Sequence, residues 1–265
     1  MIALQDIHVT FNAGTVLEKQ ALKGITLQIE EGDFVTVVGS NGAGKSTLLG
    51  VLTGEVSPTH GQIFVDGVEA TTMDVEQRSS WLARVFQDPL MGTCGALSVI
   101  ENMALAASRG GKRGFRSALA ADKLDHFKAQ LARLNLGLEQ RLHDPIGALS
   151  GGQRQAISLI MTALSPMRLL VLDEHTAALD PHTAAFILSI TREMVSEQKL
   201  TVLMVTHSMH QALEEGNRTL MLHDGRVVLD LSDAQRRKLN TDKLLQLLRR
   251  ATHGTLDDDG LLADL

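Results

Sequence analysis

An α/β fold is predicted for this 265-residue chain: a parallel sheet alternating with helices, opened by an antiparallel β subdomain and interrupted by an inserted α-helical subdomain. Three observations predict it. Residues 34–38 (FVTVV) form the continuous apolar, β-branched run of a parallel strand covered on both faces, and the run ends in a glycine-rich loop. From residue 151 onward, strand-like and helix-like segments alternate. Between these regions, 88–148 carries a helical period instead.

Taken in order, residues 2–30 alternate apolar and polar positions, most clearly in ITLQIEEG, as antiparallel strands do. Glu31 and Gly32 turn the chain into the buried strand 34–38. A helix follows over 45–53, broken by Gly54 and Pro58, and QIFVDG reads as a further strand closing on a turn. SVIENMALAAS and LAADKLDHFKAQLARL have helical periodicity and are separated by the basic, glycine-containing GGKRGFRS. Beyond it the pattern predicts a helix from 151 to about 164, a buried strand over 169–172, a helix near 183–198 and a strand over 201–205. Asp224-Gly225 between RTLMLH and RVVLDL is a two-residue hairpin turn signal. These assignments divide the chain into a core (1–87 and 151–240), a helical subdomain (88–150) and a short helical, acidic tail (241–265) whose end, TLDDDGLLADL, is expected at the surface.

Composition narrows the function. Hydrophobic residues at 44% and charged residues at 21% suffice for a sizeable core. A net charge of -6, with Arg236-Arg237-Lys238 as the longest basic cluster, argues against a nucleic-acid partner, which needs clustered cations to neutralise phosphates. The single Cys94 allows neither an intramolecular disulfide nor a thiolate zinc site, and a reducing cytoplasm is expected. The opening MIALQDIHVTF lacks the basic and apolar regions of a signal peptide, and no run of about 18 apolar residues occurs, so any membrane role is expected to run through partner chains.

Gly39-Ser40-Asn41-Gly42-Ala43-Gly44-Lys45-Ser46 fits G-x-x-x-x-G-K-[ST] between a strand and a helix, the context that motif requires. Its glycines let successive backbone N–H groups converge on nucleotide phosphates beside the positive helix N-terminus. Lys45 supplies a point charge for the β- and γ-phosphates of ATP, Ser46 a hydroxyl for Mg²⁺, and Thr47 a further donor. The strand LLVL then ends in Asp173 and Glu174, at the sheet edge where α/β ligands sit. Asp173 is placed to hold Mg²⁺ and Glu174 to polarise the water that attacks the γ-phosphate. Up to this point any P-loop NTPase core would serve.

Leu149-Ser150-Gly151-Gly152-Gln153 decides further, because it resembles the LSGGQ signature of ABC ATPases. Ser150 is also a natural helix N-cap, but a cap alone would not need the Gly-Gly-Gln that follows. Other elements stand in the family's order from Phe11 to about Asp230. Gln87 in VFQDP resembles the Q-loop glutamine that touches Mg²⁺ and water. Ala178-Leu179-Asp180 resembles the D-loop, His207 in VTHS the switch histidine, and Phe11 the aromatic that stacks on adenine, where the family more often has Tyr. His175 stands where the family usually has Pro, which loses a fixed φ and no catalytic group.

The resemblance implies a RecA-like P-loop core and a homodimer that closes head-to-tail on ATP, with Ser150, Gly151, Gly152, Gln153 and Asp180 of one subunit meeting nucleotide held by the other. It also implies integral membrane permease subunits as partners, a periplasmic or lipoprotein solute-binding protein acting indirectly, and a peripheral place on the cytoplasmic side of the bacterial inner membrane. The wording DPLMGTCGALSVIENMALA and DEHTAALDPHTA resembles ATPases encoded with tryptophan- or tyrosine-type importers. An ABC exporter or a soluble ABC scaffold ATPase would share the same catalytic motifs.

Overall fold

The computed structural model describes residues 1–111 and 121–252. Most of GGKRGFRS, the first residues of the LAADKLD helix and the acidic TLDDDGLLADL lie outside them. Strands β1 (Ile2–Phe11), β2 (Lys19–Ile29) and β3 (Phe34–Gly39) lead to helix α1 (Lys45–Thr53), then β4 (His60–Val65), β5 (Val68–Glu69), α2 (Val75–Arg78) and β6 (Leu82–Val85). Next come α3 (Val99–Ala107), α4 (Ala121–Ala132), α5 (Gly151–Thr162), β7 (Leu169–Asp173) and α6 (Pro181–Gln198). The described chain closes with β8 (Thr201–Val205), α7 (Met209–Glu214), β9 (Arg218–His223), β10 (Arg226–Ser232), α8 (Asp233–Arg236) and α9 (Thr241–Thr252).

The described residues form two compact units, one of Met1–Arg78 with the described residues from Thr201 onward, the other of the described residues between Ser79 and Leu200. In the first, β1 pairs antiparallel with β2 and β4, and β5 pairs with β4, giving the expected antiparallel subdomain. All six residues of β3 are buried, as the apolar run required. The strand is flanked by β8 and β9, both parallel to it, and β10 returns antiparallel along β9. The turn between β9 and β10 has Asp224 at φ 44 and Gly225 at φ 75, the left-handed pair that a two-residue hairpin demands. Helix α9 is no loose tail, since Leu244 and Leu247 join Val38, Ala212, Met221, Leu229 and Leu231 in one buried cluster.

In the second unit β6 and β7 pair in parallel, Leu82 with Leu169 through Val85 with Leu172. Ser98 and Glu101 start α3 with a capping box. Helix α6 begins at Pro181, two residues before the expected start, because Asp180 caps it and proline suits the first helical turn. Helix α5 stops at Thr162, short of the expected end, where Arg109 Nη2 takes the carbonyls of Thr162 and Ser165 at 3.0 and 3.2 Å.

The same device recurs in the first unit. Arg78, 1% exposed, donates to the carbonyls of Val51 and Leu52 at the end of α1 and to those of Met73, Ala70 and Thr71. Arg236 donates to Ala212, Leu213 and Glu215 at the end of α7. A helix leaves its last carbonyls without intrahelical donors, and a guanidinium with five N–H groups satisfies several at once while opposing the negative end of the helix dipole.

Candidate functional site: two half-sites of a nucleotide-binding protein

The first half-site is built on the C-terminal edge of β3 and β8, which are in register from Phe34 with Val202 to Val37 with Val205. Neighbouring parallel strands ending together bring out the loop 40–44 from one and His207, exposed, from the other. Helix α1 has Gly44 at its N-cap with φ 103 and no side chain capping it, so its first N–H groups are left to a ligand. No other residue fits there. A Cβ at Gly44 would lie 2.8 Å from the Ala21 carbonyl and 2.9 Å from Leu22 Cδ2, in a backbone region that L side chains avoid.

Lys45 is 6% exposed and folds over the loop, with Nζ donating to Gly39 O at 2.7 Å and Ser40 O at 3.1 Å. Ser40, Asn41, Gly42 and Ser46 are exposed, Gly44 and Thr47 are half-buried, and Gly39 and Ala43 are buried. The Asp224-Gly225 turn buttresses the loop, Gly225 N–H donating to Ala43 O at 3.0 Å. Lys23 Nζ holds Asp224 at 2.6 Å and keeps that carboxyl below the usual carboxylate range. Sequence reading assigned this turn to a hairpin and missed its second task. Phe11 ends β1 at 40% exposure, so its ring is outside the core and open to a planar ligand.

The second half-site stands on β6 and β7. Their shared register sends Gln87, exposed, and Asp173-Glu174, half-buried, off the same edge. Asp173 Oδ2 accepts from Arg84 Nη2 at 2.7 Å, a residue for which the motif spacing gave no signal. Glu174 sits at φ 46, a strained conformation for a residue with a side chain, and its carbonyl accepts from Ala177 N–H at 2.9 Å to open a turn.

His175 follows, 1% exposed, its Nε2 3.4 Å from Thr191 Oγ1. Thr191 already donates to Ile187 O, which makes Nε2–H the donor, and Nδ1 has no partner. Burial pushes this imidazole down from 6.5 to about 4. The unfolded chain therefore takes up a proton below pH 6.5 that the folded chain refuses until about 4, and stability present above 6.5 is lost as pH falls through that window. The loss is expected to approach about 1.4 kcal/mol per pH unit inside the window. Denaturant midpoints measured from pH 7 to 4.5 should fall less for His175→Gln than for the parent chain, and parallel curves would refute the assignment.

Ser150, exposed, caps α5, with Gln153 N–H donating to Ser150 Oγ at 3.2 Å and Ser150 N–H to Gln153 Oε1 at 3.1 Å. Gly152 lies against α6, where a Cβ would meet Thr183 Cγ2 at 2.5 Å. The expectation that a cap would not need Gly-Gly-Gln is thereby corrected: Gln153 completes a capping box and Gly152 permits close helix packing. At Gly151 a Cβ would meet nothing within 4 Å. Asp180 caps α6 through the N–H groups of Thr183 and His182, at 3.0 and 3.1 Å, and the side-chain hydrogen bond from Thr183 together with these N–H groups holds its carboxyl below the usual range.

The glycine loop and Lys45 of the first half-site fit the phosphates of a nucleotide. Among the described residues no cluster of three His, Cys, Asp or Glu could hold a metal unaided, and the exposed Ser46 hydroxyl beside the glycine loop is an oxygen donor suited to a hard cation shared with phosphate oxygens. A buried strand, a glycine loop and an uncapped helix in this order define the class, a P-loop nucleotide-binding protein.

Comparison with known proteins carries this further. The family model described as ABC transporter matches residues 22–177. A tyrosine transport ATP-binding protein of Clostridioides difficile (strain R20291) is 41% identical over 224 residues, covering 84% of this chain and 89% of that protein. The methionine import ATP-binding protein MetN of Lactobacillus delbrueckii subsp. bulgaricus (strain ATCC BAA-365 / Lb-18) is 31% identical over 236 residues, 86% of this chain and 64% of the relative. Among solved structures, a dimeric post-hydrolysis state of the ATP-binding cassette MJ0796 bound to ADP and Pi matches with a TM-score of 0.76 at 27% identity, over 88% of this chain and 99% of that one. The chain belongs to the ABC transporter family, as an ATP-hydrolysing, ATP-binding subunit. Among its described residues no helix is long and apolar enough to cross a membrane.

Proposed function

We propose that the chain energises import of an amino acid or related small solute through integral membrane permease subunits, at the cytoplasmic face of the membrane, with a solute-binding protein delivering the cargo. The 41% identity to a tyrosine transport ATP-binding protein over 84% of the chain carries this reading. In it, backbone N–H groups of Gly39, Ser40, Asn41, Gly42, Ala43 and Gly44 and the hydroxyl of Thr47 bind phosphate. Lys45 faces the β- and γ-phosphates, and Phe11 stacks on adenine. Ser46, Gln87 and Asp173 hold Mg²⁺, which when bound neutralises phosphate charge. Glu174 polarises the attacking water, and His207 fixes that water against the γ-phosphate. Two copies close head-to-tail, so that Ser150, Gly151, Gly152, Gln153 and Asp180 of each meet nucleotide held by the other.

Reconstitution in vesicles with candidate permease and solute-binding subunits from the same organism tests the reading. ATP-dependent, binding-protein-dependent entry of labelled tyrosine or tryptophan is expected. Extrusion of solute, or ATP turnover that no permease or binding protein stimulates, would overturn import.

A further inference from the structure

Arg84 and Asp173 face each other across neighbouring strands, 89 residues apart in sequence. Val171 is the register partner of Arg84, so the bond runs diagonally from β6 to the last residue of β7. Both side chains are largely shielded, at 13% and 17% exposure, and the contact is a single N–H to Oδ2 at 2.7 Å. The guanidinium carbon also lies 4.5 Å from the centroid of the Phe86 ring. Phe86 is itself pinned through its carbonyl, which accepts from the buried Gln155 Nε2 of α5 at 3.2 Å. Arg84 is thus held in place from the aromatic side as well as by the carboxylate.

A carboxylate this far out of water needs a cation beside it, and here Arg84 is that cation. The proposed role of Asp173 toward Mg²⁺ demands charge from the same carboxylate. A fixed guanidinium at hydrogen-bond distance spends part of that charge and repels a second cation, while the contact engages Oδ2 and not Oδ1.

We propose that Arg84 is the resident counter-ion of Asp173, a positioning residue that keeps the carboxylate neutralised and oriented before nucleotide arrives and thereby raises the Mg²⁺ concentration at which nucleotide is held tightly. The proposal rests on the reading of Asp173 as a metal-side residue. It assigns Arg84 a part in setting the metal threshold, one that an uncharged residue in the same place could not play.

Binding of a fluorescent ATP analogue to the full chain, measured against buffered free Mg²⁺ in a Glu174→Gln background, tests it without relying on turnover. Arg84→Met and Arg84→Gln should move the half-point to lower Mg²⁺ by about fivefold or more, and Arg84→Lys, which keeps the charge, should leave it near the parent value. Thermal unfolding without nucleotide should show the neutral variants less stable than the Lys variant. An unmoved or raised half-point in folded Arg84→Met or Arg84→Gln would overturn the counter-ion role, and so would an equal shift in Arg84→Lys. Asp173→Asn separates the two readings. If it raises the Mg²⁺ half-point while the Arg84 variants do not move it, only the role of Arg84 fails; if it leaves the half-point unchanged, the metal role of Asp173 fails and the proposal with it.

Discussion

Lys45→Ala is expected to lower ATP turnover by on the order of 100-fold or more and to weaken nucleotide binding, because a charge aimed at developing phosphate charge in a water-poor site acts at its strongest. The side chain is almost fully buried and its ammonium already bridges the carbonyls of Gly39 and Ser40, so it is pre-positioned at the loop. Removing it also leaves two carbonyls short of a donor, which makes some loss of stability part of the expected result. Lys45→Met keeps the aliphatic stem and separates the effects: turnover and affinity should stay low while thermal stability recovers in part. Turnover within a few-fold of the parent chain, in protein free of contaminating ATPase, would remove the phosphate-loop role assigned to Lys45.

What the sequence made legible has a common physical character. The phosphate loop, the run 34–38 and the Asp224-Gly225 turn each depend on residues adjacent in the chain. Their requirements, left-handed φ, a doubly covered strand and a donor at a fixed offset, are written locally. Both half-sites were legible for the same reason, since strands that end together place whatever follows them on one edge.

The illegible part depends on partners far apart in sequence. Nothing in the spacing tells that Arg78 reaches the carbonyls of Val51 and Leu52, that Arg109 closes the end of α5, or that Arg84 lies on Asp173. A charged residue in a helical or strand pattern reads as solvated until its neighbours are known, and a buried guanidinium against a helix end inverts that reading. His175 shows the same gap. A histidine in place of the family's proline looked like a lost constraint, yet it is packed to 1% exposure against α6, next to the strained Glu174. The signature residues err in the other direction. Ser150, Gln153 and Gly152 have local duties in α5 and its packing, so their presence alone is weaker support for a contact across a dimer than the motif suggests.

Gly151 escapes that ambiguity and supplies the sharper test of the head-to-tail pair. Glu174→Gln removes the basic carboxylate but keeps its shape, so it should permit ATP binding and closure while cutting hydrolysis by on the order of 100-fold or more, and ATP should then trap a dimer visible by light scattering. Ser150→Arg would be an unclear way to break that dimer, because it also deletes an N-cap that contributes about 1 kcal/mol to the helix. A Cβ at Gly151 meets nothing within 4 Å, so a side chain there starts into open space and Gly151→Arg should leave the monomer folded and able to bind nucleotide. Combined with Glu174→Gln it should abolish the trapped form, since the added bulk and charge occupy the space through which the second copy's nucleotide would be reached. If the double variant still dimerises on ATP, the pair does not close across residues 150–153 and the proposed arrangement is wrong. If Glu174→Gln alone remains monomeric at high protein and ATP concentration, the assay is repeated with permease present: a dimer that forms only then places closure under permease control, and continued absence removes the role given to Glu174.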